Sequence, residues 1–408
     1  MKKISIIALV LVLVLSFTGC TNKEMKLYSA FDKAQEVTSM ESDTDIAFTL
    51  NTIGFSQEDQ NSMQMVQQML KDSKIKLHQK MLQNEEKTIA KAKVDADVTF
   101  GGMTMNTQVW VDTDLSGKTP KIVEVIKLPP MAMAAAPEFQ NKEYIVYNFN
   151  EMMDMNQSED VDFSKLMNSS KELQPKLTKF LRDYMKQFNA KLDMVTYKGE
   201  QSVDGKNVAI YELKLDDSAL KKLVRYSTNN FLENEAGLRF MKDYMDTAVA
   251  MTEVTDTEKE TAKEELQEGF EEFKNNIPQM KEKINLFMDA FDDVKILGDN
   301  GIVIEYMINE DGYIVNEKGA IDLNIDLAAM QKAFNKLDKN KVNSLPQKTG
   351  VFKIALNFNS KIYNINQNIE IEKPVLTIEN TLYFSDMIKS TLQSVEPAEN
   401  INGEAVEQ

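Results

Sequence analysis

The chain has 408 residues, a net charge of −17, one cysteine and one histidine. That length is enough for one large domain or two ordinary ones. So acidic a surface disfavours nucleic acid and anionic lipid headgroups as partners, because like charges repel. The single cysteine excludes a disulfide within the chain, and the single histidine excludes a histidine-rich zinc site.

The first residues have the pattern of an export signal. Lys2 and Lys3 precede the apolar run 4–15, and the segment 16–20 reads Ser-Phe-Thr-Gly-Cys. The apolar run is shorter than the ~20 residues that cross a bilayer as a helix. The stretch ending at Cys20 resembles the lipobox of bacterial lipoproteins, although that family prefers an aliphatic residue where Phe17 stands. The resemblance implies a diacylglyceryl group on Cys20 and cleavage before it. An ordinary secretory signal with a chance cysteine is the alternative.

These features divide the chain into four segments. We predict a lipoprotein signal peptide over 1–19, a lipidated tether over 20–24, a single domain over 25–391 and a disordered acidic tail over 392–408. Removing the signal, which has two lysines and no acids, changes the net charge from −17 to −19. No linker rich in proline, glycine or serine splits the domain; two related halves meeting near residue 217 are the alternative. The mature protein is expected on the extracytoplasmic face of the cell membrane.

Periodicity predicts a strand-rich first half. A helix is expected over 28–37, a strand over 43–54, a helical or irregular insertion over 56–72 and a β-meander over 73–128. The clearest strand has the period-two alternation of a sheet with one face in water. Its apolar positions are Ala90, Ala92, Val94, Ala96, Val98 and Phe100. Gly101-Gly102 then predicts a tight hairpin turn, which needs positive φ, into the run Met103, Met105, Val109, Val111.

The second half alternates helical and strand patterns. Helical spacing covers 160–191 and 217–291, where Thr257 and Glu260 form a candidate capping box. Strands are predicted at 193–202 and 207–215 around the turn Asp204-Gly205, and at 301–309, 313–326, 350–359 and 362–371, with turns at 300–301 and 311–312. Runs of strands separated from runs of helices indicate the α+β class, an antiparallel sheet covered on one face by helices.

Several phrases of the sequence carry a resemblance. The segments SMESDTDIAFTL, WVDTDLSGKTPKIVEV, YKGEQSVDGKNVAIYEL and IEIEKPVLTIENTLYFSDMI look like those of uncharacterised extracytoplasmic lipoproteins of Gram-positive bacteria. The order of elements is similar to that of the mycobacterial lipid-carrier lipoproteins and the outer-membrane lipoprotein carrier. The resemblance implies a half-barrel of antiparallel strands closed by helices around an apolar cavity. It also implies that the chain binds a hydrophobic ligand.

Small and flexible apolar residues are the candidates for contact with such a ligand. Ala90, Ala92 and Ala96 occupy half of the apolar face of one strand, so either a helix or a ligand must fill the space above them. Met103 and Met105 follow on the next strand, and methionine suits varied apolar partners. The segment 128–137, with Met131 and Met133 between prolines, is interpreted as a gate, a membrane-touching surface or a loop tucked onto the core.

The sequence does not nominate a catalytic or metal site. His78 lies between Lys76 and Lys80 in a predicted strand, where a solvated or structural role is expected. The segment 112–117 imitates the start of a calcium loop, but Val123 stands where the bidentate glutamate belongs, so a hairpin turn is the better interpretation. We therefore predict no enzyme, no cofactor and no metal.

Three classes of function remain. The first is a membrane-anchored lipoprotein that binds a lipid-like ligand between sheet and helices, as a carrier, chaperone or sensor. The second is a structural or interaction lipoprotein of the cell envelope without a small-molecule ligand. The third is a hydrolase that uses carboxylates alone. The expected partners are the membrane, through the lipid on Cys20, and a lipid-like ligand, with no nucleic acid; the protein is expected to be a monomer.

Overall fold

A computed structural model describes residues 22–117, 120–135, 141–151, 173, 176–181, 183–184, 187–188, 190–250, 255–337 and 349–394. The predicted signal, Cys20, most of the helical stretch 160–191 and the tail from 395 lie outside the described residues. The strands are β1 Ser39–Ile53, β2 Lys74–Gln83, β3 Ile89–Phe100, β4 Met103–Asp114, β5 Lys121–Lys127, β6 Tyr144–Asn148, β7 Val195–Val203, β8 Lys206–Leu215, β9 Leu297–Asn309, β10 Ile314–Asp326, β11 Val351–Tyr363 and β12 Thr381–Tyr383. The helices are α1 Asn22–Ala34, α2 Gln57–Leu70, α3 Pro130–Ala135, α4 Asp217–Glu233, α5 Glu235–Ala250, α6 Asp256–Phe291, α7 Leu327–Leu337 and α8 Phe384–Ser394.

The twelve strands of the described residues belong to one open sheet. Its order is β12-β6-β5-β4-β3-β2-β1-β11-β10-β9-β8-β7, and every pair is antiparallel except the short parallel pair β12–β6. The predicted α+β class is therefore confirmed. No helix in the described ranges is long and apolar enough to cross a bilayer.

Local sequence signals account for the bounds of several elements. The Ser56 side chain caps α2 by accepting a hydrogen bond from the backbone N–H of Asp59. The hairpin between β3 and β4 turns at Gly101 and Gly102, whose φ values are +57° and +77°. The hairpin between β7 and β8 turns at Asp204 and Gly205, also at positive φ. Both turns agree with the sequence prediction, since tight hairpins favour residues that tolerate positive φ.

The pairing register assigns each side chain to one of two faces. We call the face onto which α1 packs the inner face; there the Phe31 ring lies 5.2 Å from the Tyr306 ring. Tyr306 pairs with Glu317, Glu317 with Ser360, and Ser360 with Thr44, so these four residues share the inner face. The opposite face is the outer face. Because side chains alternate along a strand, the sequence of each strand now reads directly as inner and outer residues.

The main hydrophobic core lies at the β7–β10 end of the inner face. It contains Leu27 and Ala30 of α1, Leu220 and Leu223 of α4, and the inner residues of β8 and β9. The start of α4 is fastened to the start of β9 by Asp217, whose Oδ1 accepts hydrogen bonds from the backbone N–H groups of Ile296 and Leu297 at 2.7 and 2.9 Å. Helices therefore bury this end of the sheet.

At the other end, coverage is shared between the two faces. Residues 364–380, which we call the strap, run along the outer face, where Trp110 Nε1 donates to the Glu372 carbonyl at 2.8 Å. Ile371 and Leu376 of the strap pack on Trp110. On the inner side, Phe384 of α8 lies 4.7 Å from the Tyr147 ring of β6. The strap and α8 thus enclose the β4–β6 end.

Four sequence predictions of local structure need correction. The predicted strands 350–359 and 362–371 are one strand followed by the strap, because β11 keeps its register with β1 through residue 363. The capping box is formed by Thr255 and Glu258, two residues before the predicted pair. The predicted turn at 300–301 lies inside β9, where Gly301 has a φ of +64° and a Cβ would clash with the Leu215 carbonyl oxygen. The first helix, predicted over 28–37, is α1 at Asn22–Ala34.

Candidate functional site

The two faces of the sheet differ sharply in charge. The outer face of β1, β2 and β3 carries Asp43, Asp45, Lys76, Lys80, Lys91, Lys93, Asp95 and Asp97. Along the paired stretches of β1–β6 and β8–β11, the inner face carries two charged side chains, Glu124 and Glu317. The rest of this inner face is dominated by isoleucine, leucine, valine, phenylalanine, methionine and small residues. It therefore has the composition of a core over almost the whole width of the sheet.

The middle of this inner face is not packed as a core. Its apolar residues on β11, β1, β2, β3 and β4 are half-buried rather than buried: Ile354, Leu356, Ile46, Phe48, Ile75, Leu77, Val94, Val98, Met105 and Val109. Among the residues that the structure describes, the hydrophobic core clusters include inner-face residues from the β8–β11 end but none from β1–β4. Close-packed interiors leave few such gaps. We call this half-buried apolar stretch of the inner face the cradle.

Elements at both ends form the walls of this cradle. α1 and α4 bury the inner face at the β7–β10 end, and α8 packs on β6 at the opposite end. Between them lies the floor formed by β11, β1, β2, β3 and β4, about 20 Å across at the ~4.8 Å spacing of neighbouring strands. The width suits an extended chain lying across the strands.

One polar row crosses the floor. Glu317 of β10 is followed by Ser360 of β11 and Thr44 of β1, and the hydroxyl oxygens of the last two are 2.8 Å apart. Burial raises the pKa of the Glu317 carboxyl above its usual value. The next residues of the same row are Leu77 and Ala96, so the row passes from polar to apolar within three strands.

One rim of the sheet carries exposed apolar side chains. β1 and β10 end there, β2, β4 and β11 begin there, and α2 and α7 connect these strand ends. The backbone N–H of Gly101 in the β3–β4 turn donates to the carbonyl of Met69 in α2 at 2.8 Å, which places both at this rim. Its exposed apolar residues are Ile53, Met65, Met69, Met103, Phe334 and Leu337. The rim is an apolar border of the cradle.

The structure places the predicted alanine and strand methionine residues on the inner face. Ala90, Ala92 and Ala96 are half-buried there, and Ala96 stands between Leu77 of β2 and Thr107 of β4. Met105 pairs with Val98 on the same face and is also half-buried. Met103 shares the inner register beside the hairpin turn and is 53% exposed. These five residues therefore belong to the floor and the rim.

The two methionines of the proline-flanked segment lie elsewhere. Pro130 begins the short helix α3, as suits a residue without a backbone N–H, and Met131 in this helix is 53% exposed. Met133 lines a pocket of about 660 Å³ together with Ala96. Most of the other lining residues are polar, and several of these have outer-face register, including Asp95, Asp97, Asn106 and Gln108. Met131 and Met133 are therefore grouped with the outer side of the sheet rather than with the cradle.

The remaining chemistry-bearing residues have structural surroundings. His78 Nδ1 lies 2.8 Å from Asp43 Oδ1 on the outer face, and the Tyr363 hydroxyl donates to Asp43 Oδ2 at 3.0 Å. Burial and the neighbouring Asp43 raise the pKa of Tyr363 to about 12. The Asp114 carboxylate accepts hydrogen bonds from the Ser116 backbone and hydroxyl, as in a turn. Among the described residues, no group of three or more histidine, cysteine, aspartate or glutamate side chains is placed to hold a metal ion.

Sequence reasoning missed the polar row. Glu317 sits at an apolar position of the β10 alternation, in register with Ile321, Leu323 and Ile325, and this break in pattern was the available signal. No protein-family model matches the chain, and no curated protein has a matching sequence.

Proposed function

We propose that this protein is a membrane-anchored extracytoplasmic lipoprotein that binds a lipid-like ligand in the cradle, as a carrier, chaperone or sensor. The observation that carries the proposal is the half-buried apolar floor on β11, β1, β2, β3 and β4. The apolar area of this half-buried floor that still contacts water costs free energy, and a bound apolar chain recovers it. Each buried methylene contributes about 0.8 kcal/mol, so an acyl chain gains several kcal/mol against the cost of ordering it.

The anchor and the rim support the same proposal. Cys20 precedes the first residue of α1, Asn22, by two positions, a span of at most about 7 Å. A lipid on Cys20 would therefore hold the folded domain against the bilayer. The exposed apolar residues of the rim, such as Met65 and Phe334, give a lipid an apolar path between a bilayer and the floor.

The first test is whether lipid accompanies the protein. The complete mature chain, residues 20–408, is purified with Cys20→Ser so that no attached acyl group competes. Native mass spectrometry should show a co-purified lipid, and the emptied protein should bind an environment-sensitive apolar dye. A protein that carries no lipid and binds no dye would contradict the proposal and favour a structural lipoprotein of the envelope.

A matched pair of variants locates the binding. Ala96→Trp places an indole on the floor, whereas Lys76→Trp places the same ring on the outer face of the neighbouring strand, where the Lys76 side chain is 66% exposed. Dye affinity should fall in Ala96→Trp and stay at the wild-type value in Lys76→Trp. Equal affinity in the two variants would exclude the floor as the binding surface.

A further inference from the structure

The two charged groups on the inner face of β1–β6 and β8–β11 are both carboxylates. Across β1–β6 and β8–β11, the register places Glu124 and Glu317 there and no lysine or arginine. Glu124 lies on β5, near the α8 wall, where it pairs with Tyr147. Glu317 lies on β10 at the border between the hydrophobic core under α1 and the floor. Its neighbours in the row are Tyr306 of β9 and Ser360 of β11. The polar end of a ligand on this floor would therefore meet negative charge.

Glu317 is partly withdrawn from water without a compensating partner. It is half-buried, and burial raises the pKa of its carboxyl. The ion pairs and hydrogen bonds among the described residues do not include it; the neighbouring Lys318 points to the outer face and pairs with Glu305 at 2.7 Å. Holding a carboxylate in such a place costs stability unless a cation or hydrogen-bond donor is supplied. The paired stretches of the neighbouring strands bring no lysine or arginine to this face.

We propose that Glu317 binds the protonated amine of an amphiphile whose apolar chain lies on the floor. This inference rests on the proposed function and names the class of its ligand. The Ser360 hydroxyl, the next position of the same row and about 5 Å away at the spacing of neighbouring strands, offers a second acceptor to an ammonium group at Glu317. The chain would then run over Leu77 and Ala96. A carboxylate headgroup at this position would instead face Glu317 with like charge.

The test compares two probes of equal chain length and opposite charge. Dodecylammonium and dodecanoate are titrated calorimetrically, below their micelle concentrations, into the complete mature chain carrying Cys20→Ser. The variants are Glu317→Gln and, as a matched control, Glu305→Gln. Both remove one negative charge from adjacent strands, so the long-range attraction of an acidic protein for a cation falls equally in both. They differ in the face of the sheet from which the charge is lost.

Wild type should bind dodecylammonium about tenfold or more tightly than dodecanoate, the factor expected of a charge-assisted hydrogen bond. Glu317→Gln should lose this preference, while Glu305→Gln should keep it. Glu317→Gln should also melt no lower than wild type, because the substitution removes an uncompensated desolvated charge.

The outcomes separate the two proposals. Equal binding of both probes by wild type, or equal loss of preference in both variants, would overturn the role of Glu317 and leave lipid binding standing. A marked fall in the melting temperature of Glu317→Gln would overturn it as well, since that result shows a structural partner. Failure of wild type to bind either probe would overturn both proposals.

Discussion

Asp217 joins helix α4 to strand β9, and its removal tests how the helical end of the fold is held. Its Oδ1 accepts from the backbone N–H groups of Ile296 and Leu297, and its Oδ2 lies 2.7 Å from Lys221 Nζ. The Asp217 and Lys221 side chains are only 20% and 11% exposed. Burial opposes ionisation, but the hydrogen bonds from Lys221 and from the two backbone groups outweigh it and hold the pKa of Asp217 below its usual value. The carboxylate is therefore stabilised in the folded state.

Asp217→Asn keeps one acceptor oxygen and the shape of the side chain but removes the charge. Hydrogen bonds to a charged group contribute about 1.5–3 kcal/mol, so we expect a loss of about 2 kcal/mol in the free energy of unfolding at pH 7. For a folded domain of this size, that corresponds to a fall of about 2–3 °C in melting temperature. Asp299→Asn is the control, because Asp299 is 89% exposed and its ion pair with Lys295 should contribute nothing measurable.

The pH dependence has a definite sign. The folded-state pKa of Asp217 lies below its unfolded value of 3.8. The stability contributed by the Asp217 charge is therefore complete above about pH 5, and it is lost as the pH falls through the folded-state pKa. Thermal melts of wild type and Asp217→Asn should therefore differ at pH 7 and converge toward pH 2–3. A difference that is the same at both ends, or a variant that melts like wild type at pH 7, would refute this account of the α4–β9 junction.

Three further predictions follow from other parts of the chain. Cys20→Ala should leave an unlipidated precursor with its signal attached, and detection of the mature N-terminus by mass spectrometry would contradict the lipoprotein assignment. Chelation with EDTA should leave the melting temperature unchanged, whereas a fall reversed by calcium would make the segment 112–117 a metal site. Gly319→Ala should destabilise the protein by about 1–3 kcal/mol in chemical denaturation, because its Cβ would lie 2.7 Å from the Val303 carbonyl oxygen and 2.9 Å from the Phe358 ring. Wild-type stability would refute the expected clash with the Val303 carbonyl oxygen and the Phe358 ring.

The sequence predicted what depends on local pattern. The alternation that includes Ala92 and Ala96, with the glycine pair at 101–102, was enough to place a hairpin and to assign its apolar face. The bounds of α1 and the position of the capping box were wrong by a few residues, because neighbouring polar residues there offer equally good caps. The fold class and the assignment of strand side chains to the two faces were therefore predictable, whereas the exact ends of the helices were not.

The local sequence pattern does not predict which distant strands pair, and so it does not predict the polar row. Nothing around Thr44 indicates that its neighbour in the sheet is Ser360, since the choice of β11 over any other strand is made by the whole packed sheet. The sequence groups Met133 with the alanine face because both are apolar. In the structure, Met133 lines a pocket with Gln108, a residue of the outer face. The position of Glu317 beside Ser360 and Thr44, on which its proposed role rests, is visible only when β10, β11 and β1 are placed side by side.

The central pair of strands also bears on how the chain reaches its native state. β1 and β11 lie side by side although the contact between Thr44 and Ser360 spans 316 positions of the chain. Sheets closed by such distant segments fold slowly, because the loop must close before its contacts form. For a chain that crosses a membrane from its N-terminus, β1 and β2 would emerge long before β11 and wait with their apolar sides exposed. Such a chain completes its sheet only after nearly all of it has been translocated, which leaves a long interval in which a holding chaperone on the far side of the membrane would matter.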